Sequence, residues 1–217
     1  MTSAEWDYAR SSAGEGPRYV TGWGNSAVEI HRVGTIPVPV TMRLEVADHP
    51  PIVIDFARRT YSATLPFDRY PIHPGSVAIT AEAVAPGSPA PFPGIGVQLD
   101  GLLWAVGITA FEGSAAPWLR PSDRYRLSRW PNFTELPHTM DYIRMTALLG
   151  AGFLSLPELC AGASVSVGQA QRILNALSLM GGLQVVGGVE EPTMVLRQDA
   201  ADQPRGLFGR LRARLGL

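Results

Sequence analysis

The residues able to do chemistry are few and widely spaced. The four histidines, His31, His49, His73 and His138, show no ligand spacing, so no metal site is expected. His49 and Asp55 have the types of a general base and its orienting carboxylate. No serine, however, stands in the strand-to-helix turn that would make it a nucleophile. Gly22-Trp23-Gly24 and Gly94-Ile95-Gly96 do not continue into a glycine-rich phosphate fingerprint. Cys160 is the single cysteine, which excludes an internal disulfide and a cysteine-rich zinc site. Beside Leu159 it reads as a small buried apolar residue. No catalytic residue, metal or cofactor is expected from these positions.

One cluster has a spacing suited to an anionic ligand. Arg120, Arg124, Arg126 and Arg129 fall within positions 120–129, between Trp118 and Trp130. Guanidinium groups bind phosphate by paired hydrogen bonds and stack on aromatic rings, so Arg120, Arg124 and Arg126 are candidate anion contacts. The Arg120–Asp123 spacing resembles the short motif by which some signalling enzymes bind a cyclic dinucleotide. The competing reading is structural: Tyr125 and Trp130 pin an extended piece over 124–130, and the arginines face solvent or pair with Asp123.

The elements that must hold these residues come from a chain of 217 residues, 46% of them hydrophobic, which is ample for a core. Net charge is −1, so no overall field draws the chain to nucleic acid or membrane. All the basic residues are arginine, the codon bias of a GC-rich bacterial genome. The first residues have no basic region followed by an apolar run, and no apolar stretch is long enough to span a membrane. A cytoplasmic location is therefore expected.

The expected fold class is α+β. Residues 1–16 are small and polar and read as a disordered lead. Residues 17–136 read as a β-rich domain with one buried helix. Its strands are placed at 27–33, 38–46, 52–56 and 76–84. Val38, Val40, Met42, Leu44 and Val46 share one face by strict alternation. The segment 61–74, with three prolines, mixes strand and turn. The run from Leu99 to Phe111 is apolar on most sides and reads as the buried helix, with Leu99, Leu102, Leu103, Val106 and Phe111 inward.

Residues 137–198 carry the most specific signals. A helix is expected over 140–149 behind Thr139 as N-cap. Ser155-Leu156-Pro157-Glu158 and Ser166-Val167-Gly168-Gln169 are capping boxes, in which Ser accepts the N3 amide proton and the N3 side chain reaches back. Their close spacing requires a short helix, a tight turn and a new helix. Gly162 is the expected left-handed cap between them. Ala170, Ile173, Leu174, Leu177 and Met180 mark the inner face of the third helix. Strands are expected over 183–186 and 194–197. This order resembles the winged helix-turn-helix superfamily, over residues 137–198 only. The resemblance implies a third helix that can face DNA or a partner through Gln169, Gln171, Arg172 and Asn175. Gln and Asn suit adenine and Arg suits guanine. The module nevertheless holds three arginines (Arg144, Arg172, Arg197) against four acids (Asp141, Glu158, Glu190, Glu191), which disfavours a phosphate backbone.

Residues 199–217 form a polar linker and a basic tail. On a helical wheel Leu207, Phe208, Leu211 and Leu215 share one face, while Arg205, Arg210, Arg212 and Arg214 lie largely opposite. Such a tail suits an acidic partner groove or an anionic membrane surface, with Leu207, Phe208, Arg210, Leu211, Arg214 and Leu215 as the contacts. The plainer readings are a solvated tail, or a helix packed on the protein's own N-terminal region. The function expected from all this is a non-enzymatic regulatory or scaffolding adaptor working through protein–protein contacts. The alternative is a DNA-binding regulator with an N-terminal sensing or dimerisation domain.

Overall fold

The computed structural model describes residues 17–85 and 87–187. The lead 1–16, the returning strand expected at 194–197, and the linker and tail 199–217 lie outside the described residues. The architecture is α+β, with an N-terminal antiparallel sheet and a C-terminal helical region.

The sheet is built from β1 (Arg18–Val20), β2 (Val40–Val46), β3 (Ile52–Asp55), β4 (Thr60–Ala63), β5 (Val77–Ala83) and β6 (Val97–Gln98). Their order is β1-β5-β2-β3-β4-β6, and every pairing is antiparallel. The alternation in β2 sets which side faces in: Val40, Met42, Leu44 and Val46 are buried while Arg43 and Glu45 face out. Ile52 and Ile54 of β3 and Val77 and Ile79 of β5 lie on the same inner face and add to one core. Each such side chain contributes about 1.5–3 kcal/mol by leaving water.

The strand expected at 27–33 is instead part of helix α1 (Gly22–Gly34). Trp23, Ala27, Ile30 and Val33 recur at helical spacing, and all are buried. Val28 and Ile30 mimic alternation only when the window starts after Trp23. Glu29 on the same helix is nearly buried, and Arg18 of β1 and Arg32 hold it at 2.7 and 2.9 Å.

Helix α2 (Leu99–Thr109) is the expected buried helix. Leu99, Leu102, Leu103 and Val106 face inward as read, and Phe111 packs on the core while only partly buried. After it, β7 (Arg124–Leu127) leads to α3 (Met140–Ala151), β8 (Leu154–Ser155), α4 (Leu156–Ala163), α5 (Val167–Leu179) and β9 (Leu183–Val186). Thr139 caps α3, and both capping boxes are complete. The left-handed cap of α4 is Ser164 (φ 55°), not Gly162. Gly162 lies inside α4, where a Cβ would stand 3.1 Å from the Leu148 side chain of α3.

The second sheet has the order β8-β7-β9, so its middle strand comes from before α3. The core does not stop at residue 137. Buried residues of α5 and of the N-terminal sheet belong to one cluster, and α2 lies directly on α5.

Candidate binding groove

Helix α2 buries one side and leaves another open. Gly101, Ala105 and Ile108, at helical spacing, form the floor of a groove of about 1320 Å³. A Cβ added at Gly101 would meet nothing within 4 Å, so the floor there is unobstructed.

Both walls are aromatic. On one side the segment after β4 brings Phe67 against Trp23, with ring centres 4.8 Å apart. Trp23 Nε1 donates to the Pro71 carbonyl at 2.8 Å, and the Tyr70 hydroxyl donates to Pro50 at 2.8 Å. On the other side Trp104 Nε1 donates to the Pro137 carbonyl at 2.9 Å. Phe133 and Tyr142 meet the Trp104 ring edge-on, each at 5.8 Å. With their polar atoms already bonded, Trp23, Tyr70 and Trp104 form fixed apolar walls. Burial pushes the phenols of Tyr61 and Tyr142 above their ordinary range, so both stay neutral.

The rim is acidic. Asp68, Asp100 and Glu135 line the groove, and among the described residues no arginine does. Asp100 is gripped by Arg59 at 2.6 Å and Arg129 at 2.7 Å. Burial works to raise its pKa, but hydrogen bonds and charge from both arginines outweigh it and hold the carboxyl below its ordinary value. Asp68 and Glu135 are exposed, as are Ile72 and Val97 at the edges.

The residues singled out in the sequence are placed differently from one another. Of the third helix, now α5, Gln169 and Arg172 are exposed. Gln171 and Asn175 are buried, so two of the four positions read as outward face in. Asn175 Oδ1 accepts from the Ala116 amide at 2.9 Å, and its Nδ2 donates to the Ser114 carbonyl at 2.8 Å. Trp118 Nε1 donates to Ser178 Oγ at 3.0 Å. The segment 114–118 therefore covers the side of α5 that was expected to be free.

The arginine cluster does not converge. Arg124 and Arg126 leave the same face of β7, while Tyr125 and Leu127 are buried beneath. Arg124 bonds Glu158 at 2.8 Å and the Phe153 carbonyl at 3.0 Å. Arg126 lies over the Phe153 ring, and Arg129 reaches Asp100 instead. Asp123 is buried and closes a turn by accepting from the Arg120 amide at 2.7 Å. The Tyr125 hydroxyl donates to the Arg120 carbonyl at 3.1 Å, and burial with the nearby Asp123 charge pushes its pKa up to about 12. The Arg120–Asp123 spacing is thus that of a turn, with Asp123 turned to its own backbone.

Among the described residues no group of three metal-ligating side chains comes together. Asp55 is bound by Arg58 at 2.7 Å, and His49 Nδ1 lies 2.7 Å from the Ala47 carbonyl, so they do not pair. Cys160 is half-buried, and burial raises its thiol pKa, which keeps it protonated. The tail contacts Leu207, Phe208, Arg210, Leu211, Arg214 and Leu215 lie outside the described residues.

The groove itself was missed in the sequence. Its signal was compositional: aromatic residues at 61, 67, 70, 104, 133 and 142 recur beside exposed acids at 68 and 135. Compared with known proteins, the chain matches no family model, no curated protein and no solved structure.

Proposed function

We propose that this chain is a non-enzymatic cytoplasmic adaptor, regulatory or scaffolding, that holds a peptide segment of a protein partner in the groove beside α2. The observation that carries this reading is the groove's combination of size, walls and rim. At about 1320 Å³ it exceeds the roughly 300–1,000 Å³ typical of small-molecule sites. Its aromatic walls are already fixed by hydrogen bonds, so little ordering cost is left for binding. Its two exposed rim carboxylates, Asp68 and Glu135, favour a partner segment that carries arginine or lysine beside its apolar anchors.

In this reading the C-terminal helical region is a winged helix-turn-helix module. Support comes from the order α3, β8, α4, α5, β9, from the two capping boxes, and from the small sheet beside them. The module then serves as a buttress: α5 lies on the back of α2, whose front is the groove floor. A DNA-reading role is the weaker alternative, because Asn175 and Gln171 point inward and Arg172 is the lone cation on α5.

The test is selection of random 12-residue peptides on the immobilised full chain, repeated on Gly101→Arg. The substitution fills the open floor and also replaces a helix-weakening glycine, so the fold is retained. Selected peptides should carry aromatic or leucine anchors with basic residues and should lose binding to the variant by tenfold or more. Selection of peptides indifferent to Gly101→Arg, or of none, would overturn the reading.

A further inference from the structure

We infer that the basic tail of this same chain, residues 205–217, docks in the groove and competes with any partner for it. This inference rests on the groove being a peptide site, and it names the site's internal regulator.

Three observations point to this occupant. The first is charge. Asp68 and Glu135 are exposed carboxylates on the groove, Asp100 being already paired with Arg59 and Arg129, whereas the tail carries Arg205, Arg210, Arg212 and Arg214 and no acidic side chain. The lead 1–16 also has aromatic anchors, Trp6 and Tyr8. Its acids Glu5, Asp7 and Glu15 outnumber Arg10, so the rim repels it.

The second is shape. As a helix the tail is about 20 Å long and 10 Å wide, a cylinder of roughly 1,500 Å³, of which the apolar half sinks into a groove. A groove of about 1320 Å³ takes that half with room for the arginine stems. Leu207, Phe208, Leu211 and Leu215 give the spacing by which a helix anchors in such a trough. Gly206, Gly209 and Gly216 lower intrinsic helicity, so helix formation is coupled to docking and the affinity is held down.

The third is reach. Residues 188–204 join β9 and its following Gly187 to the tail, and 17 residues extend to about 55 Å. The arginines that hold Asp100 of the groove, Arg59 and Arg129, also bond the Met180 carbonyl seven residues before Gly187, so Gly187 lies within about 30 Å of the groove and the linker spans that distance. Tethering supplies an effective concentration on the order of a millimolar. A tail with an intrinsic Kd of tens of micromolar would therefore occupy the groove most of the time and yet yield to a tighter partner.

The experiment adds a fluorescent peptide of sequence 205–217 to three full-length proteins. These are the wild type, Phe208→Asp/Leu211→Asp, which disarms the resident tail, and the same double variant with Gly101→Arg. Expected is saturable binding to the double variant, binding at least about tenfold weaker to the wild type, and none to the triple variant. Equal binding to wild type and double variant overturns the inference, since no resident tail is then competing. Binding that survives Gly101→Arg places the tail elsewhere and also overturns it. Sedimentation of the wild type should give a monomer; a dimer that dissociates in Phe208→Asp/Leu211→Asp would put the tail in a second copy instead. Capture by phosphatidylglycerol vesicles of the wild type but not of the double variant, with no peptide binding to the double variant, would assign the tail to a membrane and overturn the inference. If the peptide fails while selected 12-residue peptides still bind in a Gly101-dependent way, the tail inference falls and the groove reading stands. If both fail, both fall.

Discussion

Gly107 of α2 and Ala176 of α5 bring two helices into backbone contact: a Cβ added to Gly107 would lie 2.4 Å from the Ala176 Cα. Nothing on the far side can rotate away, because the atoms met are main chain. Gly107→Ala should therefore push the helices apart and cost about 2–3 kcal/mol, the upper part of the range for an overpacked core. Urea unfolding followed by fluorescence and by circular dichroism should give a lowered midpoint, with both signals still moving together. A loss under 0.5 kcal/mol would mean that the helices are not seated as described.

Asn175 ties the segment 114–118 to α5 through two hydrogen bonds from one buried amide. Asn175→Ala leaves the buried Ala116 amide without a partner, which costs about 1–3 kcal/mol, whereas the Ser114 carbonyl belongs to an exposed residue and can turn to water. A destabilisation of about 1–3 kcal/mol is expected. The exposed neighbour Arg172→Ala should change stability by less than about 0.5 kcal/mol. Equal effects at the two positions would contradict the orientation of the helix.

The capping box of α4 gives a pH signature. The Ser155 amide donates to the Glu158 carboxylate at 2.8 Å, and this bond, with help from the Ser155 hydroxyl and Arg124, holds the acid below its ordinary 4.5 against a smaller opposing effect of burial. A folded pKa below the unfolded one contributes stability above pH 4.5, and that contribution is lost as pH falls through the folded value. Glu158→Gln should be less stable than wild type at pH 7 and should converge on it near pH 3. Ser155→Ala should cost about 1 kcal/mol at pH 7. Denaturation midpoints at pH 7, 4.5 and 3 decide it; a gap independent of pH would remove the carboxylate from the cap.

His31 stacks on Trp118 with ring centres 4.0 Å apart and planes 6° from parallel. Burial lowers its pKa from the ordinary 6.5, so the neutral ring is the folded form. Stability is complete above 6.5 and is lost as pH falls through the lower folded value. The ring-proton titration of His31 by NMR should have its midpoint below 6.5, and Trp118→Leu should move it upward by opening the site to water. A midpoint at or above 6.5 in the wild type would refute the stacked, desolvated arrangement.

What the chain reveals in advance depends on how far apart the interacting residues lie. The capping boxes at Ser155 and Ser166 are complete within four residues, so they could be read directly. The β2 face was equally local, since alternation in one strand is a property of that strand. Helix α1 escaped because its start carries no side-chain cap and glycines stand at both ends. The inward turn of Asn175 escaped because its partners lie about sixty positions upstream. A polar residue beside Arg172 looks solvated until the covering segment is placed. The groove is the extreme case: its walls and floor come from Trp23 and from three stretches near 61–72, 97–109 and 132–142.

The position of β7 bears on how this protein was assembled. β8 and β9 each pair with β7 and not with one another. A fragment cut before α3 would keep every helix of the C-terminal region and lose the strand that joins its two edges. That region is therefore no cassette to be lifted out at residue 137 and grafted onto another chain. Any gene rearrangement that moved it intact had to carry the codons for Arg124–Leu127 as well.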